Sequence, residues 1–396
     1  MDDSWTSTGY LTSLKFHSCR NQIAVNDAAT AIVAVLLPTL QAKFDLSATT
    51  LAVLVAGQWA TSSITQPFLG ALADQVSRRA LAAGGIVLNA ALLSMVGVVP
   101  TVPVLFAVIV VGGLGSAALH PVATAIAHSH GSKSAGLGVG LFSAGGQIGA
   151  AVGPGVVLAV VATLGPQGTL WLMVPGVLLG IAVWRLLPKE EPRGELAGPR
   201  TGLRCLAHGP VALLATAGMF ADLAFVSFTS AIPLWLVHER GVPRDDPTIA
   251  TTLGAFVLGA GLGAVAAGWL DRRVDRRILV PATMVAAIAP LIAVLHLPPG
   301  GVLGLGAATL AGALVYANFP LMIVSAQALA PHSVAAASGM LMGFATGVAG
   351  VLYIPIGRLQ DLIGIIGALT VAYLSLIPAA LLALLVLTRH LPVKNT

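Results

Sequence analysis

The chain is 396 residues long, 57% hydrophobic and only 9% charged, with a mean hydropathy of +0.92. Soluble domains carry about 25% charged residues, and no water-soluble core could hide this much apolar surface, so a soluble enzyme and a nucleic-acid binder are both excluded. The net charge of +5 and the pI of about 9.6 come from short basic clusters between apolar stretches, as in the cytoplasmic loops of a polytopic membrane protein.

The first fifteen residues are polar and include Asp2 and Asp3. Lacking a basic n-region and an apolar h-region, they do not form a cleavable signal, and the first helix is expected to direct its own insertion. A helix needs about 20 apolar residues to cross ~30 Å of hydrocarbon. Apolar runs bounded by charge, Pro or Gly predict twelve such helices, near 19–40, 48–70, 80–100, 103–126, 135–163, 168–187, 209–236, 248–270, 278–297, 301–327, 334–357 and 364–388. A transmembrane barrel is excluded, because its lumen face would bring polar residues at every second position. Residues 188–208 hold several Pro, Gly and charged residues and read as a linker. The expected organisation is therefore an N-terminal six-helix bundle over 1–187, a cytoplasmic linker over 188–208, and a C-terminal six-helix bundle over 209–396.

Lys and Arg orient the chain. Sixteen of the 20 lie at the termini or in even-numbered connections, and four (Lys43, Arg240, Arg244 and Arg358) lie on the other side. Both termini and the linker are thus expected to be cytoplasmic, in a multi-pass protein of the cell (inner or plasma) membrane. Cys19 and Cys205 then fall on the reducing side, where a disulfide is not expected.

The halves repeat. Gly70–Arg79 aligns without gaps to Gly268–Arg277 at an offset of 198; Asp27 and Pro38 match Asp222 and Pro233 at 195; Gly113 and Pro121 match Gly312 and Pro320 at 199. A duplicated six-helix unit is a transporter signature. These residues resemble the major facilitator superfamily across about 20–388. Gly70, Asp74, Arg78 and Arg79 stand where its loop 2–3 signature has them, with Gln75 and Ser77 departing from it. The run Gly149-Ala-Ala-Val-Gly-Pro154 is similar to its fifth-helix antiporter motif. A closer likeness is to the fosmidomycin-resistance group of exporters, through Asn26-Asp27 with Leu37-Pro38, Gln66–Gly70, Gly113–Pro121, Phe142–Pro154 and Ser338–Phe344. Ile23 and Val122 depart from that group's usual histidine and acidic residue, so the same drug does not follow as substrate.

Asp27 lies seven residues past Arg20, roughly 10 Å along the helix at 1.5 Å per residue. A carboxylate at that depth is costly unless it pairs, meets water or titrates. It reads as a proton-binding group, or else as a structural carboxylate bonded to a neighbouring helix. Asp222 and His120 are read as coupling or substrate-binding groups, with helix–helix hydrogen bonding as the plainer role for each. The resemblance implies that helices one, four, seven and ten line a central cavity. Asn26, Gln58, Gln147, Tyr316 and Asn318 are candidate solute contacts there. Gly70, Asp74, Arg78 and Arg79, with Asp271 and Arg272 in the second half, are read as a conformational latch. Gly149, Gly153 and Pro154 form the antiporter-type motif. Glycines at four-residue spacing in helices five and eleven predict close helix approach.

Gly259–Ala264 fits a dinucleotide fingerprint but lies mid-membrane with no strand before it. His128 and His130 have no acidic or thiol companion, so no metal is expected, and no phosphate loop is present for ATP. The expected protein is a non-enzymatic secondary transporter in two pseudo-symmetric bundles, a monomer exchanging protons for a small amphiphilic solute or drug, with the proton gradient in place of a cofactor and no nucleic-acid partner. An uptake symporter on the same fold and a non-transporting scaffold or sensor are the alternatives.

Overall fold

The computed structural model describes residues 4–66, 68–69, 77–130, 135–186, 209–331 and 334–390, with side chains described for 24–66, 68–69, 77, 79–119, 145–185, 209–331 and 337–390. The chain is all-helical. The first half comprises α1 (Ser4–Phe44), α2 (Ala48–Trp59, continuing through a π turn at Ala60–Ile64), α3 (Arg78–Ser94), α4 (Val102–His130), α5 (Ala135–Leu164) and α6 (Met173–Leu186). The second comprises α7 (Pro210–His238), α8 (Pro247–Leu270), α9 (Arg276–His296) and α10 (Val302–Leu329). It ends with α11, from Val334 through a π turn at Met340–Ala345 to residue 363, and α12, from residue 365 to His390 with an interruption at Ser375.

Ten stretches among the described residues are long and apolar enough to cross a bilayer. The last of them, Ala337–His390, runs 54 residues and doubles back at Gly364, so it contributes two spans. With α2, the count is twelve. Gly364 has φ +80°, a left-handed conformation that glycine adopts without steric cost. The sequence places a connection at 358–363; the chain instead stays helical there and turns on that single residue. The first helix likewise begins before the expected residue 19, at Ser4. The proposed linker, 188–208, lies outside the described residues.

Within the first half α3 packs on α4 and α6, and α1 on α5; within the second α10 packs on α8 and α9, and α12 on α7 and α9. The halves meet along α5–α8 and α2–α11, two seams that exchange under the repeat, and along α1–α7. Leu178, Leu262, Leu303 and Leu381 are each more than half exposed, an arrangement suited to lipid and not to water.

One end of the molecule, opposite the termini, is closed by contacts between the halves. His238 on α7 hydrogen-bonds Gln41 on α1 at 2.8 Å. Asp361, at the end of α11, accepts from the amides of Ala48 and Thr49 at 3.0 Å each, and from the Thr49 hydroxyl. Those are first-turn amides of α2, which have no partner inside their own helix. Thr50, the next amide, is capped by Ser47 at 3.1 Å. At α8, the equivalent helix, Asp246 caps Thr248 at 2.7 Å from within the same half, and Pro247 has no amide proton to satisfy.

Candidate functional site

Between the halves lies a cavity of about 260 Å³. From the first half it is lined by Asp27 and Thr30 on α1, by Gln58, Trp59, Ser62, Ser63 and Gln66 on α2, by Ser116 on α4, and by Gln147 and Pro154 on α5. From the second half come Asp222, Phe225, Thr229 and Ser230 on α7, Tyr316 and Phe319 on α10, and Met342 and Thr346 on α11. Both carboxylates expected from the repeat therefore face one space, and no Lys or Arg is among its described lining residues.

Helical spacing sets these walls. Asp222, Phe225 and Thr229 fall at i, i+3 and i+7, and Gln58, Ser62 and Gln66 at intervals of four, so each set shares one face. The aromatic part is continuous: Tyr316 stacks on Phe319 with centroids 4.8 Å apart, and Phe225 meets Tyr316 at 5.6 Å. Behind it Phe225 leans on Phe256 at 5.4 Å, and Phe256 stacks on Phe228 at 3.8 Å. The Tyr316 hydroxyl hydrogen-bonds Gln147, across the two halves. Asp222 accepts from the Thr346 hydroxyl at 2.6 Å. The Gln58 amide donates to the Thr30 carbonyl at 3.2 Å, tying α2 to α1 beside Asp27.

The π turns lie on these walls. Ala60–Ile64 carries Ser62 and Ser63, and Met340–Ala345 carries Met342 and is followed at once by Thr346. The two turns touch across the α2–α11 seam. One extra residue per turn re-aims side chains, and such bulges are frequent at functional sites. In the sequence, Pro67 lacks the amide proton that would bond the Ser63 carbonyl in a regular helix, a local signal for the first of them.

Two of the candidate solute contacts do not line this cavity. Asn26 is 1% exposed and lies off the cavity; its amide donates to Ser116 Oγ at 2.9 Å and to Asp27 Oδ1 at 3.1 Å. Neighbouring residues on a helix point about 100° apart, so Asn26 cannot face where Asp27 does. Asn318 is 3% exposed and also off the cavity, bonded to the Val315 carbonyl one turn back at 2.5 Å. It stands two positions from Tyr316, on the far side of α10. Phe225, Thr229, Ser230, Ser62, Ser63, Gln66 and Thr346 are wall residues not singled out from sequence, although their helical spacing from Asp222 and Gln58 marks most of them.

Of the latch residues, Gly70, Asp74 and the side chain of Arg78 lie outside what the structure describes, and so does the side chain of the coupling candidate His120. The Arg79 guanidinium sits 4.5 Å from the Trp184 ring centre. Asp271 grips Arg276 in a two-pronged pair, at 2.5 and 2.7 Å. That pair closes the α8–α9 connection within one half, and Asp275 caps α9 through the Arg277 amide at 2.8 Å. Asp271 therefore braces the α8–α9 connection in this conformation. Gly149 and Gly153 face α1: a Cβ on Gly149 would stand 1.9 Å from the Ala24 carbonyl oxygen, and one on Gly153 2.8 Å from that of Ala28. Pro154 lies inside α5 and on the cavity wall.

Comparison with known proteins gives the same picture. The chain is 25% identical over 354 residues to the uncharacterized MFS-type transporter YfnC of Bacillus subtilis, covering 86% of this chain and 85% of that one. It is 22% identical over 347 residues to the fosmidomycin resistance protein of Escherichia coli, covering 85% and 84%. A 26% identity over 228 residues links it to multidrug resistance protein 1 of Bacillus subtilis, over 56% and 58% of the two chains. Its fold matches the crystal structure of a bacterial homolog of the human lysosomal transporter Spinster, inward-facing and unoccupied, with TM-score 0.74, 15% identity and coverage of 98% and 99%. The family model for the Major Facilitator Superfamily matches residues 22–353, and the chain, a multi-pass membrane carrier and not an enzyme, belongs to that superfamily.

Proposed function

We propose that this carrier is a proton-coupled antiporter that moves a small amphiphilic organic molecule out of the cytoplasm by alternating access. The observation that supports the reading best is the meeting of Asp27 and Asp222, one from each half, on a single cavity whose remaining wall is aromatic and weakly polar. A carboxylate in such a place is costly when charged, which suits a group that is protonated in one part of a cycle and ionised in another. The stack of Tyr316, Phe319 and Phe225 offers ring faces to an apolar or aromatic solute. The names of two relatives, a fosmidomycin resistance protein and a multidrug resistance protein, lean the same way. In this reading Asp27 is the chief proton site, and Asp222 and His120 serve coupling or solute binding. A proton arriving from outside displaces the solute and favours return of the empty carrier, with the proton gradient as the energy source and no cofactor.

The test is proton movement in everted vesicles energised by respiration, followed with a pH-sensitive dye while a panel of amphiphilic drugs and metabolites is added. Compound-dependent proton release in the wild type, lost in Asp27→Asn and reduced in Asp222→Asn, is the expected result. Full retention in Asp27→Asn removes that residue from the proton path. Proton uptake in the direction of the solute would replace the antiporter with a symporter.

A further inference from the structure

Asn89 on α3 has no place in the reading above, and it never touches the cavity. It is 1% exposed, as is Asn26, and Ser116 beside them is 2% exposed. Polar side chains between transmembrane helices are costly unless paired, and these three pair with one another. The Asn89 amide donates to Asn26 Oδ1 at 2.9 Å and to the Asn26 backbone carbonyl at 3.3 Å. Both acceptors belong to one residue, so turning the Asn89 amide over would set its oxygen against two others. Asn89 is thereby fixed with its nitrogen toward Asn26. That in turn fixes Asn26 with its oxygen toward Asn89 and its nitrogen toward Ser116 and Asp27, at 2.9 and 3.1 Å. Close packing of α3 on α4 makes the reach possible: a Cβ on Gly115 would lie 2.6 Å from the Asn89 backbone nitrogen and 2.6 Å from the Gly85 carbonyl oxygen. The second half has none of this, since Asn26, Asn89 and Ser116 correspond to Ala221, Ala287 and Val315 at the offsets of 195, 198 and 199.

We infer that Asn89 and Asn26 are positioning residues for Asp27: a two-amide relay, running from α3 through α1, that presents a fixed N–H donor to the Asp27 carboxylate from behind the cavity wall. A fixed donor favours the ionised form of the group it faces, so the relay sets both where the carboxylate points and how readily it takes a proton. The inference rests on Asp27 as the proton site. Among the described residues, the other titratable groups on the cavity walls are Asp222 on α7 and Tyr316 on α10, and neither bonds to the relay.

The test needs no transported solute. Purified full-length protein in detergent is carried through a pH titration while infrared difference spectra follow the carbonyl stretch of the protonated carboxyl, assigned to Asp27 by its disappearance in Asp27→Asn. In Asn26→Leu the band should shift. In Asn89→Leu it should shift too, although Asn89 does not touch Asp27, and the pH at which it is half-developed should move by about half a unit or more. Asn89→Asp, nearly the same shape, takes the Asn26 nitrogen for itself and turns the Asn26 oxygen toward Asp27, so its shift should exceed that of Asn89→Leu. It also serves should the leucine variant fail to fold. Gln360→Leu, a buried amide on α11 that bonds Tyr353 and lies off the cavity, should leave the band in place. A band lost in Asp27→Asn but unmoved in every Asn89 variant overturns the relay while leaving the proton site intact. A band that survives Asp27→Asn overturns the proton site, and the relay with it.

Discussion

Asp27 and Asp222 stand 195 residues apart at matching points of a duplicated unit, yet the halves hold them differently. The hydrogen bonds described around Asp27 come from its own bundle: Asn26, Asn89 and Ser116 bond to one another at its back, and Gln58 bonds to the turn beyond it. Asp222 has apolar counterparts at all three relay positions, and takes a hydroxyl from Thr346 on α11. That helix packs on α2 of the other half, so the partner of Asp222 rides on the seam. One carboxylate is thus hydrogen-bonded within a bundle, and the other is tied to the joint between bundles. Rocking of the halves can then reach Asp222 directly and Asp27 only through the space they share.

The frame of Asp27 should be the harder of the two to disturb without losing the fold. Gly149→Ala drives a methyl group to within 1.9 Å of the Ala24 carbonyl oxygen on α1, one turn before Asp27. Backbone cannot yield as a side-chain tip can, so a loss of about 3 kcal/mol or more is expected, read as a lower Tm in detergent and a poor folded yield. A Cβ on Gly343, 194 residues on, would stand 3.0 Å from the Ser63 carbonyl oxygen across the seam. Gly343→Ala should cost far less stability and slow transport instead. Equal Tm losses would erase the distinction between frame and seam. Ala221→Asn places the missing amide next to Asp222. Ala221 is 2% exposed and its repeat-related neighbours are apolar, so an amide without a relay should destabilise by about 1–3 kcal/mol. An Ala221→Asn protein as stable as the wild type would mean that the second half can also house such a relay.

The pairing of the carboxylates was legible in the sequence, because a repeat that superposes Asp27 on Asp222 and Pro38 on Pro233 must bring both to the same depth from opposite sides. The helices were legible too, since lipid demands long apolar runs and charge marks their ends. Angular position was written there but is easily overlooked: Tyr316 and Phe319 share a face while Asn318 between them does not, and Asn26 adjoins Asp27 yet points away from it. What was not legible depends on contacts between segments far apart in the chain. Asn89 acquires its role from Asn26, 63 residues away; Thr346 acquires its own from Asp222, 124 residues away. The antiporter-type glycines were legible as close-packing residues, but not that they pack on α1 and leave the α5–α8 seam to other side chains.

The link between Asp222 and the seam can be cut at one atom. Thr346→Val keeps the shape of the side chain and removes the hydroxyl that reaches Asp222 at 2.6 Å. Hydrogen bonds to charged groups contribute about 1.5–3 kcal/mol, and the half-buried setting places this one at the lower end, so coupled transport should slow by roughly tenfold. Thr346→Ser should restore most of it. An unimpaired Thr346→Val would leave Asp222 without a tie to the joint, and the contrast with Asp27 would reduce to the relay alone.

The smallest effect is expected at a third carboxylate, which joins the halves at the closed end and lies beyond the apolar span of α11. Burial raises the Asp361 carboxyl, but the Thr49 side chain, the Thr49 and Ala48 amides and the charge of Arg358 outweigh it and hold the group below the usual carboxylate range. A group depressed in this way favours the contact above its ordinary pKa, and the advantage is lost only as the pH falls through the lowered value. The contact is therefore complete at neutral pH and unchanged down to about pH 5. Asp361 is exposed and screened, so Asp361→Asn, which keeps an acceptor but loses the charge that favours a helix N-terminus, should cost no more than a few tenths of a kcal/mol. Labelling of a single cysteine at Val55, on the cavity wall, in a protein with Cys19 and Cys205 replaced by serine, would read it from the closed side. Only the thiolate reacts, so rates are compared between variants at each pH: Asp361→Asn should label about twofold faster than the wild type, with that ratio flat from about pH 8 to 5. A ratio already falling toward one near neutral pH would assign the opening of that end to another group and leave Asp361 as an ordinary helix cap.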